Sequence, residues 1–248
     1  MNEETQEIAL GRGGVADVAV RLGHARGKAA RPTSRLADAM AFLRGFLARP
    51  REVASVVPSS VFLEASVVRA ANLHGARTVV ELGPGTGGTT RALLRSMMPQ
   101  SRLLALELNA GFCERLARLV DDPRLAVHAG SAEDLPEVLR WHGLPAADTI
   151  VSGIPFSTLP PDVAERVAAA IAASLAPGGR FVAYQLRAHV GDFVAPHLGS
   201  PHVAWEWRAL PPMRVFVWDK PAQASAEQRL EPGRALAAAD IGPQRSAP

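Results

Sequence analysis

Cysteine and tyrosine are almost missing from this sequence: among 248 residues there is one of each, Cys113 and Tyr184. A lone thiol excludes an intramolecular disulfide and a zinc cluster built from cysteines, and no metal site is expected. Cys113 lies in the helical stretch NAGFCERLARLV and is expected in or near the core. Long apolar runs are missing too. No stretch of about 18 apolar residues occurs, so no transmembrane helix is predicted. The opening MNEETQEIALGRGG starts acidic and has no apolar signal core, which predicts a cytoplasmic protein. Aromatics make up only 5% of the chain, yet 48% of it is hydrophobic, which suits one α/β domain with tails.

Strong net charge is also lacking, at +3, but the charge is unevenly spread. Residues 12–51 carry Arg12, Arg21, Arg26, Lys28, Arg31, Arg35, Arg44, Arg49 and Arg51 against few acids. Such a block favours an anionic surface, either lipid or nucleic acid. A plain soluble basic tail is the competing reading.

Four regions follow from the pattern. Residues 1–32 and 221–248 are rich in Gly, Ala, Pro and charge without a period, and are expected to be disordered. Residues 33–75 are expected to form amphipathic or lid helices. In the first, Leu36, Met40, Leu43 and Leu47 recur at helical spacing, with Phe42 and Phe46 beside them and arginines on the flanks. That is the profile of an interfacial helix, or of one covering a cleft. Pro58-Ser59-Ser60 reads as a turn and helix N-cap whose hydroxyls cap the helix or hold an anion such as a carboxylate.

Residues 76–220 alternate strand and helix. Strands are predicted at 78–82, 102–108, 124–129, 148–152 and 180–186, with helices at 89–98, 110–120, 136–141 and 162–175. Pro177-Gly178-Gly179 is expected to cap the last of these helices. Two final strands, 203–209 and 214–218, are joined by Leu210-Pro211-Pro212-Met213 and predict an antiparallel hairpin. The fold class is α/β: a Rossmann-like, doubly wound, seven-stranded mixed sheet with a C-terminal antiparallel hairpin and an N-terminal helical extension.

The chemistry concentrates in TVVELGPGTGGTTR at 78–91, a strand, a glycine turn and a helix start. Glycines at 83, 85 and 87 let backbone approach a ligand where a Cβ would clash. Gly83, Gly85 and Gly88 also satisfy the dinucleotide spacing G-x-G-x-x-G. Against a dinucleotide stand the position of the motif behind two helices and the terminal hairpin. So does Glu81, whose carboxylate would repel a pyrophosphate and favour a cation. Glu107, twenty residues past Gly87, ends the second strand where it would accept hydrogen bonds from ribose hydroxyls.

ELGPGTG, the LE at the second strand, GSAEDL and the proline turn after the fourth strand together resemble a class I S-adenosylmethionine-dependent methyltransferase. More narrowly, FLRGFLARP, VPSS, LELNAGFCERL, VSGIPFSTLPP, LAPGGRFVAYQ and PPMRVFVW are similar to bacterial phospholipid N-methyltransferases. Those enzymes carry phosphatidylethanolamine towards phosphatidylcholine, and related ones methylate ornithine lipids. The resemblance implies S-adenosyl-L-methionine as cofactor and S-adenosyl-L-homocysteine as product. The expected cofactor site comprises Ser59, Ser60, Glu81, Gly83, Pro84, Gly85, Thr86, Gly87, Glu107, Leu108, Ser131, Ala132, Glu133, Ser152 and Gly153. Many relatives carry an acid where Ser131 stands, which leaves the adenine contact open between Ser131, Glu133 and Asp134. Tyr184 is the candidate for holding the acceptor amine, against an ordinary core role. Arg44, Arg187 and Arg214 are candidates for a lipid phosphate, and Arg35, Phe42 and Phe46 for membrane contact.

These expectations describe a peripheral enzyme on the inner face of the cell membrane, acting on an amino-phospholipid, with no obligate protein partner evident. The group also looks distantly like rRNA adenine dimethyltransferases, which is the main rival. Adenine chemistry calls for a polar turn such as N-L-P-Y, whose amide holds the exocyclic amine. Here the turn is Ser152-Gly153-Ile154-Pro155-Phe156, with Gly153 in the place of the asparagine, and nucleic acid is not the expected partner. A soluble small-molecule methyltransferase, or a cofactor-binding surface protein without turnover, would carry the same glycine loop.

Overall fold

The computed structural model describes residues 57–209 and 211–222. The expected helix at 34–49, with Arg35, Phe42, Arg44 and Phe46, lies outside the described residues, as do the N-terminal tail and most of the C-terminal one.

The domain opens with α1 (Val57–Ala71) and then alternates β1 (Thr78–Leu82), α2 (Gly88–Ser96), β2 (Arg102–Glu107), α3 (Ala110–Leu119) and β3 (Leu125–Ala129). It continues through α4 (Leu135–Trp141), β4 (Ala147–Ser152), α5 (Pro161–Ser174), β5 (Leu175–Gln185), α6 (Val190–Leu198), β6 (His202–Glu206) and β7 (Met213–Asp219). The seven strands lie in the order β3-β2-β1-β4-β5-β7-β6. β1 to β5 run parallel, while β7 is antiparallel to both β5 and β6. The Rossmann-like seven-stranded mixed sheet read from the sequence is therefore the one present.

Two apolar layers sandwich the sheet. Val67, Leu93, Cys113 and Leu116 of α1 to α3 pack with Val79, Leu103 and Val151 on one face. Leu135, Leu139, Val167, Ile171, Val190 and Val194 of α4 to α6 pack with Val80, Leu104, Ile150 and Phe181 on the other. Central strands buried on both faces carry apolar residues at nearly every position, which is why TVVEL and RLLALE read as continuous runs. Cys113 is buried, and burial beside the Glu107 carboxylate pushes its thiol up to about 12, so it is inert core.

Three local readings change. α1 already includes Val57, so Pro58, Ser59 and Ser60 belong to its first turn and are not a turn ahead of it. Proline is tolerated in the first helical turn, where its missing N–H costs nothing. Pro177-Gly178-Gly179 does not cap α5. It forms the start of β5, where the register shifts from Ala147↔Leu175 to Thr149↔Arg180. Gly178 N–H and Gly179 O bond to Lys220 at the end of β7, so the sheet absorbs the glycines as a bulge. α6 was not anticipated, since Gly191, Pro196 and Gly199 mask its period; Val190 and Val194, one turn apart, bury its inner face.

Two polar clamps orient this frame. Arg180 pairs with Asp219 at 2.6 Å and donates to Ala70 O at 3.1 Å, tying the end of α1 to the sheet. Asp148 Oδ2 accepts the N–H groups of Arg77 and Thr78 at 2.8 and 2.9 Å, setting the start of β1 against β4. Asp148→Ala orphans both donors and is expected to cost about 2 kcal/mol. A urea midpoint indistinguishable from the parent would remove this role.

Candidate active site

The chain runs outward from β1 to β3 and returns to β4, so strand order reverses between β1 and β4. Open α/β sheets bind ligands at such a switch point, beyond the carboxyl ends of the strands. The glycine loop after β1 and the Gly153 turn after β4 meet there: Gly153 N–H donates to Leu82 O and Gly83 N–H to Leu106 O, both at 2.9 Å.

The loop is held open by backbone conformation. Gly83, Gly85 and Gly87 all take positive φ. At Gly87, the residue preceding α2, φ is +80°, which favours glycine, and an added Cβ would also have to push aside Leu116 Cδ1. The loop hands the chain into α2, whose N-cap Gly87 brings no side-chain cap, so the first N–H groups of the helix lack partners within it. Pro84 is buried and Thr86 exposed at the tip.

Carboxylates converge beneath this loop. Glu81 is completely buried on β1, and its Oε2 accepts from Thr90 Oγ1 at 2.6 Å. Its Oε1 has no hydrogen-bond partner among the described residues. Burial chiefly, and then the negative charges of Glu107 and Glu64, push the Glu81 carboxyl up to about 7 despite the Thr90 bond. Glu107 is 3% exposed and ends β2; its carboxylate accepts from Asn109 N at 2.9 Å and Gly85 N at 3.2 Å. Burial raises its pKa, opposed by those backbone donors. Glu64 of α1 reaches the loop from above, where a Cβ on Gly88 would strike its Oε1. Glu64 was not singled out in the sequence, because a lone acid in FLEASVV carries no motif; its position beside Gly88 is a tertiary fact.

Tyr184 sits one residue past Ala183, whose partner on β4 is Ser152, and so stands level with Gly153. Its hydroxyl lies 3.3 Å from Thr89 Oγ1. A Cβ on Gly153 would meet Tyr184 Cζ at 3.0 Å and Gly83 O at 3.2 Å, with the tyrosine hydroxyl closer still. Burial and then the Glu81 charge hold the phenol above its ordinary value of 10, so it stays neutral. The turn beneath is braced by Ser152 Oγ, which accepts from Ile154 N at 3.2 Å, and by Gln185 Nε2, which donates to Ile154 O at 2.8 Å.

Other expected site residues are placed as follows. Leu108 is half-buried beyond Glu107, and Ala132 is buried. Ser131 caps the short turn Ala132–Asp134, accepting from Glu133 N at 3.3 Å and donating to Glu133 Oε1 at 3.2 Å. Glu133 in turn pairs with Arg166 of α5. Ser131 and Glu133 therefore engage each other, and Asp134 lies exposed. Ser59 and Ser60 lie in the first turn of α1, the helix that carries Glu64. Arg187 is exposed just beyond β5. Arg214 does not point freely at the cleft: its guanidinium stacks over Trp205 at 4.4 Å and donates to Leu186 O at 3.3 Å. Arg44 is outside the described residues.

The donor set fits a cationic, nucleoside-bearing cofactor. A buried carboxylate oxygen without a partner suits a positive group, and a second carboxylate at the end of β2 suits hydroxyls. The loop between them holds position 87 at a positive φ that favours glycine.

Comparison with known proteins agrees. Residues 79–179 match the family model of a methyltransferase domain. Over 145 residues the chain is 33% identical to the ornithine lipid N-methyltransferase of Singulisphaera acidiphila, covering 58% of this chain and 76% of that protein. It is 35% identical over 136 residues to the ribosomal RNA small subunit methyltransferase A of Nocardia farcinica, covering 54% of this chain but 44% of that one. Its fold is shared with the 1,6-didemethyltoxoflavin-N1-methyltransferase of Burkholderia thailandensis, solved with S-adenosylhomocysteine, at a TM-score of 0.57 and 17% identity over 78% of this chain and 93% of that one. With the glycine loop, the two acidic strand ends and the terminal hairpin in one frame, the chain belongs to the class I S-adenosylmethionine-dependent methyltransferases and resembles the lipid N-methyltransferases among them.

Proposed function

We propose that this methyltransferase transfers methyl groups to the amine of a membrane-lipid headgroup, phosphatidylethanolamine first and an ornithine lipid as the alternative. One observation carries the reading over its ribosomal rival. Position 153, where adenine chemistry would need an amide, is glycine, and a side chain there would press on the Tyr184 ring and Gly83 O. The identity to an ornithine lipid N-methyltransferase points the same way.

S-Adenosylmethionine, when bound, supplies a methyl group on a positively charged sulfur. The residues of the chain have the remaining tasks. Ionised Glu81, steadied by Thr90, offers Oε1 to a cationic group of the cofactor. Glu107 would exchange its Gly85 partner for ribose hydroxyls. Neutral Tyr184 orients the acceptor amine through its hydroxyl, and its ring face suits a methylated cation. Being neutral and held so, it is not the base. Glu64, half-buried on the rim, is our candidate for the group that takes the amine proton. Close positioning and exclusion of water provide most of the acceleration.

The enzyme would work from the inner face of the cell membrane, with the basic segment 12–51 drawing it to anionic lipid. No helix among the described residues is long and apolar enough to cross a membrane. Expression in a host that lacks methylated lipids, followed by mass analysis of its lipids, is expected to show headgroups gaining one to three methyl groups. Unchanged lipids from a cell making folded, cofactor-binding protein would overturn the proposal.

A further inference from the structure

The far edge of the sheet carries a surface that the methyl-transfer site does not use. β6 is an edge strand exposed at four of its five positions, an unusual state for a strand of sequence HVAWE. Six of the nine exposed large hydrophobic side chains among the described residues gather here: Val61, Phe62, Leu186, Val203, Trp205 and Trp207. Trp207 is 68% exposed and stacks on Trp205 with centroids 4.7 Å apart. Arginines are interleaved with the rings. Arg214 lies over Trp205 and Arg208 over Phe62, each at 4.4 Å. A groove of about 720 Å³ runs between this strand and α1, lined by Ser66, Arg69, Trp205 and Trp207 among others. The acid at its floor, Glu206, pairs with Arg208 and accepts a hydrogen bond from Ser66, which hold its pKa down at about 2.

Register joins this edge to the active site. Trp205 pairs with Arg214, and Arg214 with Gln185. Gln185 in turn braces the Gly153 turn through Ile154 O. The tryptophans therefore stand at the cofactor end of the sheet, two strands from the acceptor cleft.

We propose that the Trp205–Trp207 edge is a membrane-docking surface that rests on the headgroup layer of an anionic bilayer and brings the cleft mouth to the lipid. Tryptophan prefers this layer because its ring is apolar and its N–H wet. Arg208 is already engaged by Glu206, so Arg69 and Arg214 are the arginines left beside the rings to meet lipid phosphates, and with the nearby acid paired the patch is complementary to anionic lipid. This rests on the lipid reading of the active site and adds to it a second contact, distinct from the helix expected at 34–49.

The test uses the full chain and vesicles of phosphatidylglycerol and phosphatidylethanolamine, with and without brominated acyl chains. Bromolipid is expected to quench the tryptophan fluorescence of the parent and of Trp141→Phe, but not of Trp205→Phe/Trp207→Phe, whose remaining rings lie elsewhere. Trp205→Ala/Trp207→Ala is expected to lose at least about tenfold in vesicle affinity at unchanged thermal stability. Quenching that persists in Trp205→Phe/Trp207→Phe, or absent in the parent, overturns the proposal. So does unchanged affinity in the alanine pair, whether the 34–49 segment or a protein partner proves to cover the edge. These readouts need no turnover. A protein that methylates lipids without quenching refutes the docking surface alone, and one that quenches without methylating any lipid refutes the acceptor assignment.

Discussion

Glu81→Gln is expected to weaken S-adenosylmethionine binding by about a hundredfold or more while making the cofactor-free protein more stable at pH 8. Both effects come from one buried oxygen. Glu81 is wholly enclosed, and its Oε1 has no partner among the described residues. Its carboxyl is raised from 4.5 to about 7, chiefly by burial. A carboxyl raised on folding favours the protonated form. It contributes stability in full below pH 4.5, and that contribution is lost as pH climbs through 7. The difference amounts to on the order of 3 kcal/mol between pH 4.5 and pH 8. Glutamine does not titrate, so the stability gap between variant and parent should open by that order over the same interval in urea unfolding. Binding moves oppositely, because removing the buried charge leaves a cationic ligand without its counter-ion, a loss of about 3–5 kcal/mol. Calorimetric affinity should fall accordingly. A gap that stays constant with pH would show that the buried carboxyl is not raised on folding, and a variant that binds like the parent would show that Glu81 is not the cation's partner. A protein that keeps such an acid in its core has given up stability for a binding site.

Gly153→Ala should nearly abolish turnover, by about a hundredfold, and destabilise the fold by about 1–3 kcal/mol. The new methyl group has to displace the Tyr184 ring and press on Gly83 O, disturbing the Gly153 turn and the glycine loop together. The mechanism is specific enough to test with a second change. Tyr184→Phe removes the atom nearest the intruding methyl, so Gly153→Ala/Tyr184→Phe should recover about 1 kcal/mol of the lost stability. Additive losses in the double variant would mean that position 153 acts through the backbone alone. Glycine here thus relieves crowding against Tyr184 and Gly83 O, which an asparagine at this turn would have to displace.

Much of the fold was legible from local pattern. Short apolar-rich stretches marked β1 and β2 as strands, and Pro211-Pro212 between two β-rich stretches marked the terminal hairpin. Errors fell where one residue type serves two geometries. Pro177-Gly178-Gly179 suits a helix end or a strand bulge, and only bonding to Lys220 selects the bulge. Pro58 suits a turn or a first helical turn. The strand expected at 203–209 is β6, His202–Glu206, and the exposure of Trp205 follows from β6 being last in the sheet.

By itself the sequence determined the strand–helix alternation, the glycine loop and the two acids that end or underlie it. Those follow from spacing along the chain, because backbone conformation and strand burial are set within a few residues. Tertiary structure alone decided that Glu81 is left with an unpaired oxygen, that Glu64 arrives above Gly88, that Tyr184 crowds position 153, and that Trp205 and Trp207 face outward at the cleft end of the sheet. Each depends on strand order and register, which join residues more than twenty or even a hundred positions apart, and no local periodicity encodes which strand is a neighbour and which is an edge.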